Sequence, residues 1–528
     1  MTRLDLSRGS PLRTLLYAVG AGLVLFGTTQ LVLPGSGAAA RGTPYAILFN
    51  GLVQGALSAF TAIGIVLVYR TSRVINFAQA ALGAVGAIFA YNLILVYRWP
   101  YGLALAAAIV ASGAIAVFVE LLILRRFFEA PRLVMTILTV GLGSLLALFA
   151  VQGVARLPLW GQTRDLAEQF GAAPIVPVRS IDFRIGDTAI PFRFAHLLTL
   201  GLLVVALVAV AGFLKYTRLG TAIRASSENA ERAELLGVNV RILQTIVWLI
   251  AGALSAVGLT LLGTTQTFAL GSQGAPGVLI AALAAALIAR MRSIPMAVYA
   301  SILIAVGQAA VGWSYRDQSA LVEAGLFVVI LFALLAQRRT LQRAEEGSSW
   351  EANQEIRPTP RELIEQSSIR TWRRLFIAAG AAFLLAFPWT VEPGLMNRAA
   401  LAAIFAIVLL SLVVLTGWAG QVSLGQFGLV AIGAMAGGAL TSRADISFWL
   451  ALPIGAIVCA FVALVVGLPA LRIRGLFLAV VTLAFSSAVS LLLFDERYFG
   501  WLEPENIRRP TLLFLDFEDE RSMYYLSV

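Results

Sequence analysis

Bond chemistry needs reactive side chains gathered at one place, and this sequence supplies few of them. It holds one histidine, His196, one cysteine, Cys459, and one lysine, Lys215. Zinc sites of the H-E-x-x-H or paired-cysteine kind have no residues to build on, and no G-x-S-x-G nucleophile turn is present. A P-loop needs G-x-x-x-x-G-K-[ST], because its lysine neutralises phosphate charge and its hydroxyl holds Mg²⁺. Lys215 is followed by Tyr216 and preceded by no glycine loop. The chain is therefore read as neither a metalloenzyme nor a Walker-type ATPase, and any ATP must be bound by another subunit. His196 opens an apolar run, where capping or an interfacial place fits better than catalysis.

What remains is amides and one charged loop. Asn50, Gln54, Asn76, Gln79, Gln421 and Gln426 stand inside apolar runs. An uncharged amide at membrane depth needs partners, so it either bonds across helices or lines a path for a polar solute. Asn50, Asn76, Gln79, Gln421 and Gln426 are the candidates for such a path. Acidic groups are rare in the runs. Glu120, about a turn from Arg125, and Glu323 both lie near run ends, and this scarcity counts against proton or sodium coupling. The loop from Lys215 to Arg241 reads as two short helices, with Ser227 as the cap of the second, Glu228 at its positive dipole end and Gly237 closing it. Ala230, Ala233 and Leu236 or Gly237 form a small-residue stripe flanked by Arg224, Glu228, Glu231, Arg232 and Glu234. Such a helix suits docking into a partner's groove or lying on the bilayer surface.

The elements that position these residues follow from composition. Of 528 residues, 59% are hydrophobic and 13% charged, against about 25% charged in soluble domains. Mean hydropathy is +0.87. Apolar runs long enough for a ~30 Å core recur near 14–33, 45–69, 74–97, 102–124, 133–154, 195–214, 242–262, 272–289, 294–313 and 319–336. Five more lie near 375–389, 398–416, 420–441, 448–468 and 476–494. The sequence thus predicts an all-α polytopic membrane protein of about 15 transmembrane helices. Net charge is +11, and its distribution over loops points to orientation rather than to a nucleic-acid partner. A cytoplasmic N-terminus gathers most short basic loops on one side, as the positive-inside rule requires. The first run, ending near Ala38-Ala39-Ala40, is read as a retained helix rather than a cleaved signal peptide.

The chain also repeats itself. Val74 to Ala87 aligns with Gln421 to Ala434, so that Gln79 meets Gln426 and Gly86 meets Gly433. Upstream, each copy has a Pro-Gly turn and a run ending in Tyr69 or Thr416; downstream, Thr139 to Ser144 aligns with Thr482 to Ser487. The copies are expected to be parallel repeats, with ten spans in the first and five in the second, so that the second reads as truncated. Pairs at spacing four, Gly51/Gly55, Gly83/Ala87 and Gly433/Gly437, are expected to pack helices closely. Gly271 to Gly277 is expected to break the start of the next helix.

At Asn76-Phe77-Ala78-Gln79 and at the 217–239 loop the chain resembles permeases of branched-chain amino-acid ABC importers. Residues 45–345 resemble the H-type subunit (LivH). Residues 375–528 resemble the start of the M-type subunit (LivM), through Gly417-Trp418-Ala419-Gly420-Gln421-Val422-Ser423-Leu424-Gly425-Gln426. The resemblance implies an H–M fusion: residues 1–44 as an N-terminal helix and turn, 45–336 as a first permease unit, 337–373 as a cytoplasmic linker and 374–528 as part of a second. Such permeases carry an E-A-A-x-x-x-G loop that seats in the ATPase. Glu231-Arg232-Ala233-Glu234-Leu235-Leu236-Gly237 keeps the spacing, with Arg232 in place of Ala. The implied partners are ABC ATPase subunits, an extracytoplasmic solute-binding protein and a polypeptide completing the second half, all at a bacterial inner membrane. Urea or short-amide permeases share the pattern, and a secondary transporter, a channel or a non-functional remnant are the rival readings.

Overall fold

A computed structural model describes residues 11–33, 42–127, 130, 132–151, 180–185, 188–265, 274–316, 318–335, 366–470, 472–473, 475–505, 507, 509–512, 515–517 and 519–528. The chain divides into two compact units, Met1–Ala336 and Gln337–Val528. Gly271 to Gln273, most of the 337–373 linker and the Glu231 side chain lie outside what is described.

Unit one contains α1 (Pro11–Gly27, continued by a π turn Thr28–Val32), α2 (Tyr45–Ser72), α3 (Gln79–Leu95), α4 (Tyr101–Leu122) and α5 (Arg132–Val151). A two-stranded ribbon follows, β1 (Ser180–Ile185) paired antiparallel with β2 (Thr188–Arg193), Ser180 opposite Arg193. Then come α6 (Phe194–Tyr216), the short α7 (Arg218–Glu228) and α8 (Ala230–Leu235), α9 (Val240–Thr265), α10 (Gly274–Ile288), α11 (Ile294–Ser314) and α12 (Ser319–Leu335). Unit two contains α13 (Ser367–Thr390), α14 (Pro393–Val413, continued by a π turn Val414–Trp418), α15 (Gln426–Ser442), α16 (Phe448–Ala470), α17 (Leu476–Leu493), a small ribbon β3 (Thr511–Leu512) and β4 (Leu515–Asp516), and α18 (Glu520–Ser527). A helix occupies each of the fifteen expected runs. Eight, namely α2, α4, α6, α9, α11, α14, α16 and α17, are long and apolar enough to cross a bilayer unaided. Helices form because an apolar run in lipid must satisfy its backbone internally.

The all-α expectation holds, with one small addition: Ile181, Phe183 and Ile185 alternate with polar residues and form the first strand of a short ribbon. One expectation is corrected: the runs at 74–97 and 420–441 are not continuous helices, for α3 starts only at Gln79 and α15 only at Gln426. The five residues before each helix are non-helical backbone.

Unit one is assembled around α2, which is buried without interruption from Ala59 to Tyr69. Helices α9 and α11 pack along it, and α3 and α4 pack on α9. Glycines set these approaches. A Cβ on Gly51 would stand 2.7 Å from Val306 Cα on α11, and one on Gly83 would stand 2.6 Å from the Ser255 carbonyl on α9. Small residues at the seam let backbones meet, which is how helices associate where lipid supplies no hydrophobic drive.

The counterpart of α2 in the second copy is α14, and its surroundings differ. With Tyr69 aligned on Thr416, Phe60 falls on Ile407, Ile63 on Leu410 and Val66 on Val413. The first three are 0% exposed, and the second three are 61%, 63% and 59% exposed. In unit one α9 and α11 pack on α2, and Phe60 meets α9 at Gly258. In unit two, α18 packs on α14 elsewhere, clustering Tyr524 with Met396 and Ala400, and Tyr524 donates to the Leu384 carbonyl at 3.1 Å.

Candidate functional site

The broken start of α3 carries a connected set of buried polar groups. Asn76 and Gln79 are fully buried. The Asn76 Oδ1 accepts from the backbone N–H of Ala78 at 3.0 Å, an Asx turn that diverts the chain from helix. Asn76 Nδ2 donates to Gln79 Oε1 at 2.8 Å, and Gln79 Nε2 donates to the Ala251 carbonyl at 2.8 Å and to Ser255 Oγ at 2.7 Å on α9. Thr139 on α5 closes the remaining gap. Its Oγ1 lies 3.3 Å from the Phe77 N–H and 3.2 Å from the Ile75 carbonyl. Unpaired backbone polar groups within the bilayer core would each cost on the order of several kcal/mol.

The second copy builds the same device with other residues. Ser423 Oγ accepts from the Gly425 N–H at 3.2 Å, and Thr482 Oγ1 accepts from the Leu424 N–H at 2.9 Å. Gln426 Nε2 donates to Ser411 Oγ at 2.8 Å on α14. Ser411 aligns with Gly64, and a Cβ at Gly64 would collide with the Gln79 amide. Each copy therefore tunes one α-helical position to the amide that faces it, Gly for an amide turned to α9 and Ser for one turned to α14.

The charged loop folds as two short helices, α7 and α8, with corrected details. Asn229, not Ser227, caps α8, its Oδ1 accepting from the Arg232 N–H at 2.9 Å. Ser227 instead bonds back to the Arg224 carbonyl at 2.7 Å. Gly237 closes the helix as expected, at φ +83°, with the Val238 N–H on the Ala233 carbonyl at 3.0 Å. The Ala230–Ala233 stripe is not the outward face, because Ala233 is buried against the chain. Leu235 and Leu236 face outward, 88% and 83% exposed, with Arg224, Glu228, Arg232 and Gly237 also at the surface.

This element is tied to the broken start of α3 from both sides. Arg73, the residue before the extended stretch, donates through Nη2 to the Ser227 carbonyl at 2.6 Å. On the other side α8 runs through Val238-Asn239 into α9, whose Ala251 and Ser255 hold Gln79. One turn into α9, Thr245 Oγ1 donates to the buried Glu120 carboxylate on α4 at 2.7 Å. Further along, Ser112 bonds the Gly252 carbonyl at 2.9 Å and Tyr91 the Thr260 carbonyl at 2.6 Å.

Other sequence-selected residues are placed as follows. Asn50 is exposed near the first turn of α2, about 33 Å along the helix from the α3 start. The structure therefore does not bring it to Asn76 and Gln79. Gln421 and Gln426 are half-buried in unit two. His196 is a capping residue, its Nδ1 accepting from the Arg193 N–H at 3.4 Å, with its ring edge-on to Phe49 at 5.5 Å between centroids. Sequence reasoning did not select Thr139 and Thr482 as clamps, although their alignment in the repeat was a usable signal. Ser255 and Thr245 carried no local signal.

Comparison with known proteins follows the same segments. The family described as branched-chain amino acid transport system permease component matches residues 47–335 and 394–515. The high-affinity branched-chain amino acid transport permease LivM of Escherichia coli K12 is 35% identical over 156 residues, 29% of this chain and 36% of that protein. The corresponding BraD protein of Pseudomonas aeruginosa is 27% identical over 300 residues, 54% of this chain and 92% of its own length. The chain thus spans about a third of the length of the LivM protein it matches. A metal-chelate-type ABC transporter solved in an inward-facing conformation covers 60% of this chain and 98% of its own at 17% identity, with a TM-score of 0.34, too loose an overlap to compare sites.

Proposed function

Because this chain belongs to the permease family of branched-chain amino acid transport systems, we propose that it forms the membrane path of an ABC importer for branched-chain or similar amino acids. In this reading it is a multi-pass protein of the bacterial inner membrane, with its N-terminus in the cytoplasm. An extracytoplasmic binding protein delivers the solute, and separate ATPase subunits bind and hydrolyse ATP. The chain itself performs no bond chemistry and holds no cofactor. The observation that carries the proposal is the double attachment of α7–α8 to the start of α3, through Arg73 and through α9.

The mechanism follows from those bonds. An ATPase seated on Leu235, Leu236 and the flanking charges Arg224, Glu228, Glu231 and Arg232 moves α8, with Ala233 as its inner contact and Gly237 as its end. Arg73 and α9 move with it, and the start of α3 is carried between them. Asn76 and Gln79 act on the solute route by holding that start in place, while Asn50, Gln421 and Gln426 are proposed to meet solute directly. The exposed face of α14 is the proposed seat of further membrane helices, in the place that α9 and α11 take on α2.

The test is gentle purification of the tagged chain from its own membranes. Wild type is expected to retain a Walker-motif ATPase at fixed stoichiometry, and Leu235→Asp with Leu236→Asp is expected to lose it while the permease stays folded. Equal retention by that variant would refute the docking assignment, and uptake that persists after ATP depletion would refute the importer.

A further inference from the structure

A cavity apart from the α3 start lies in unit one between α1, α11 and α12. Its volume is about 680 Å³, and Leu25, Leu303, Gly307, Val322 and Gly325 are among its walls. It is lined almost wholly by apolar groups, and the hydroxyls on the α1 wall are already bonded: Thr28 to the Leu25 carbonyl at 2.7 Å and Thr29 to the Phe26 carbonyl at 2.8 Å. Val32 and Val329 line it and are themselves 72% and 43% exposed, so it opens sideways from the surface of the unit. From Met296 to Val311 it follows α11 for about 23 Å of a ~30 Å core. That is longer than one leaflet and narrow enough to be walled by three helices.

Charge marks one end. Ile288 and Met296 both line the cavity, and the turn between them carries Arg290 and Arg292, both exposed. Arg290 is held at φ +55°, and neither guanidinium has a carboxylate partner among the described salt bridges. With α9 and α10 taken as consecutive spans, this turn falls on the same side as α7 and α8. Basic groups at the mouth of an apolar slot between transmembrane helices are the arrangement that holds acidic lipid headgroups.

We propose that this slot is a binding site for an acidic phospholipid, with one acyl chain between α1, α11 and α12 and the phosphate against Arg290 and Arg292. The occupant follows from length, wall chemistry and charge together: walls this apolar suit an acyl chain rather than a soluble ligand, and the basic turn at one end suits an acidic headgroup. The inference does not depend on the transport reading, since it needs only a membrane-embedded unit one.

The two wall glycines give a clean test. A Cβ on Gly325 would meet nothing within 4 Å, and one on Gly307 would meet only Leu25 Cδ1 at 3.6 Å. Gly325→Leu can therefore fill the slot without striking backbone, and Gly325→Ala serves as the folding control. Full-length chain would be purified in mild detergent with defined mixtures of phosphatidylglycerol and phosphatidylcholine, and retained lipid counted by mass spectrometry. Wild type is expected to keep about one phosphatidylglycerol per chain, Gly325→Leu to lose at least threefold, and Arg290→Gln/Arg292→Gln to lose its preference for the acidic lipid. Unchanged retention in Gly325→Leu with a wild-type melting profile would overturn the site. An unchanged lipid preference in the arginine variant would overturn the headgroup assignment, and loss of a stoichiometric protein instead of lipid would show that a partner helix fills the slot.

Discussion

Replacing Gln79 by Leu tests whether the α3 start is a clamp. The two side chains are similar in size, so the substitution removes hydrogen bonds without opening a large cavity. Three bonds are lost, to Asn76 Nδ2, the Ala251 carbonyl and Ser255 Oγ. Side-chain bonds between membrane helices average about 0.6 kcal/mol, giving roughly 2 kcal/mol for the set. The orphaned and buried Asn76 amide adds to that, within a range of about 1–3 kcal/mol. The same change in the repeat, Gln426→Leu, removes one bond at a half-buried site, for about 0.6 kcal/mol. The assay is SDS-driven unfolding of the chain in mixed micelles, followed by tryptophan fluorescence. Gln79→Leu should lower stability at least three times as much as Gln426→Leu, and its double-mutant cycle with Ser255→Ala should show coupling of about 0.5 kcal/mol or more. Equal losses in the two copies, or a loss below about 0.5 kcal/mol at Gln79, would refute the clamp.

Other consequences concern packing and coupling. Gly86→Ala drives a Cβ to 2.9 Å from the Ala108 carbonyl, whereas Gly433→Ala meets Cys459 Cβ at 3.5 Å, so the first should cost about 1–3 kcal/mol and the second almost nothing in the same unfolding assay. Thr245→Val leaves the buried Glu120 carboxylate without its hydroxyl donor and should cost about 1.5–3 kcal/mol, a loss that Glu120→Leu, which removes the acceptor, would largely pre-empt in a double-mutant cycle. Gly237→Ala forces a side chain into the left-handed region at a cost of about 1 kcal/mol, and should raise hydrogen exchange in α8 without changing that of α3. Arg73→Met should leave ATPase co-purification intact but lower the solute carried per ATP hydrolysed; unchanged coupling would show that Arg73 is not a link.

The sequence by itself determined the apolar elements, their order and the repeat. An apolar run in lipid must satisfy its backbone internally, and runs this long without strand alternation do so as helices, so each of the fifteen runs holds a helix. Gly237 was legible for the same local reason, since closing a helix at positive φ is a property of one residue. Tertiary structure decided what the polar residues do. Asn76 and Gln79 read as path candidates because a buried amide and a solute-facing amide look alike in sequence. Only the tertiary structure brings Ser255 and Ala251, from 170-odd residues away, into hydrogen bonds with Gln79. Likewise Ala233 and Leu236 share a helical stripe on paper, but the packing of α8 sends one inward and leaves the other exposed. Periodicity fixes which residues share a face; which way that face turns depends on neighbours distant in the chain.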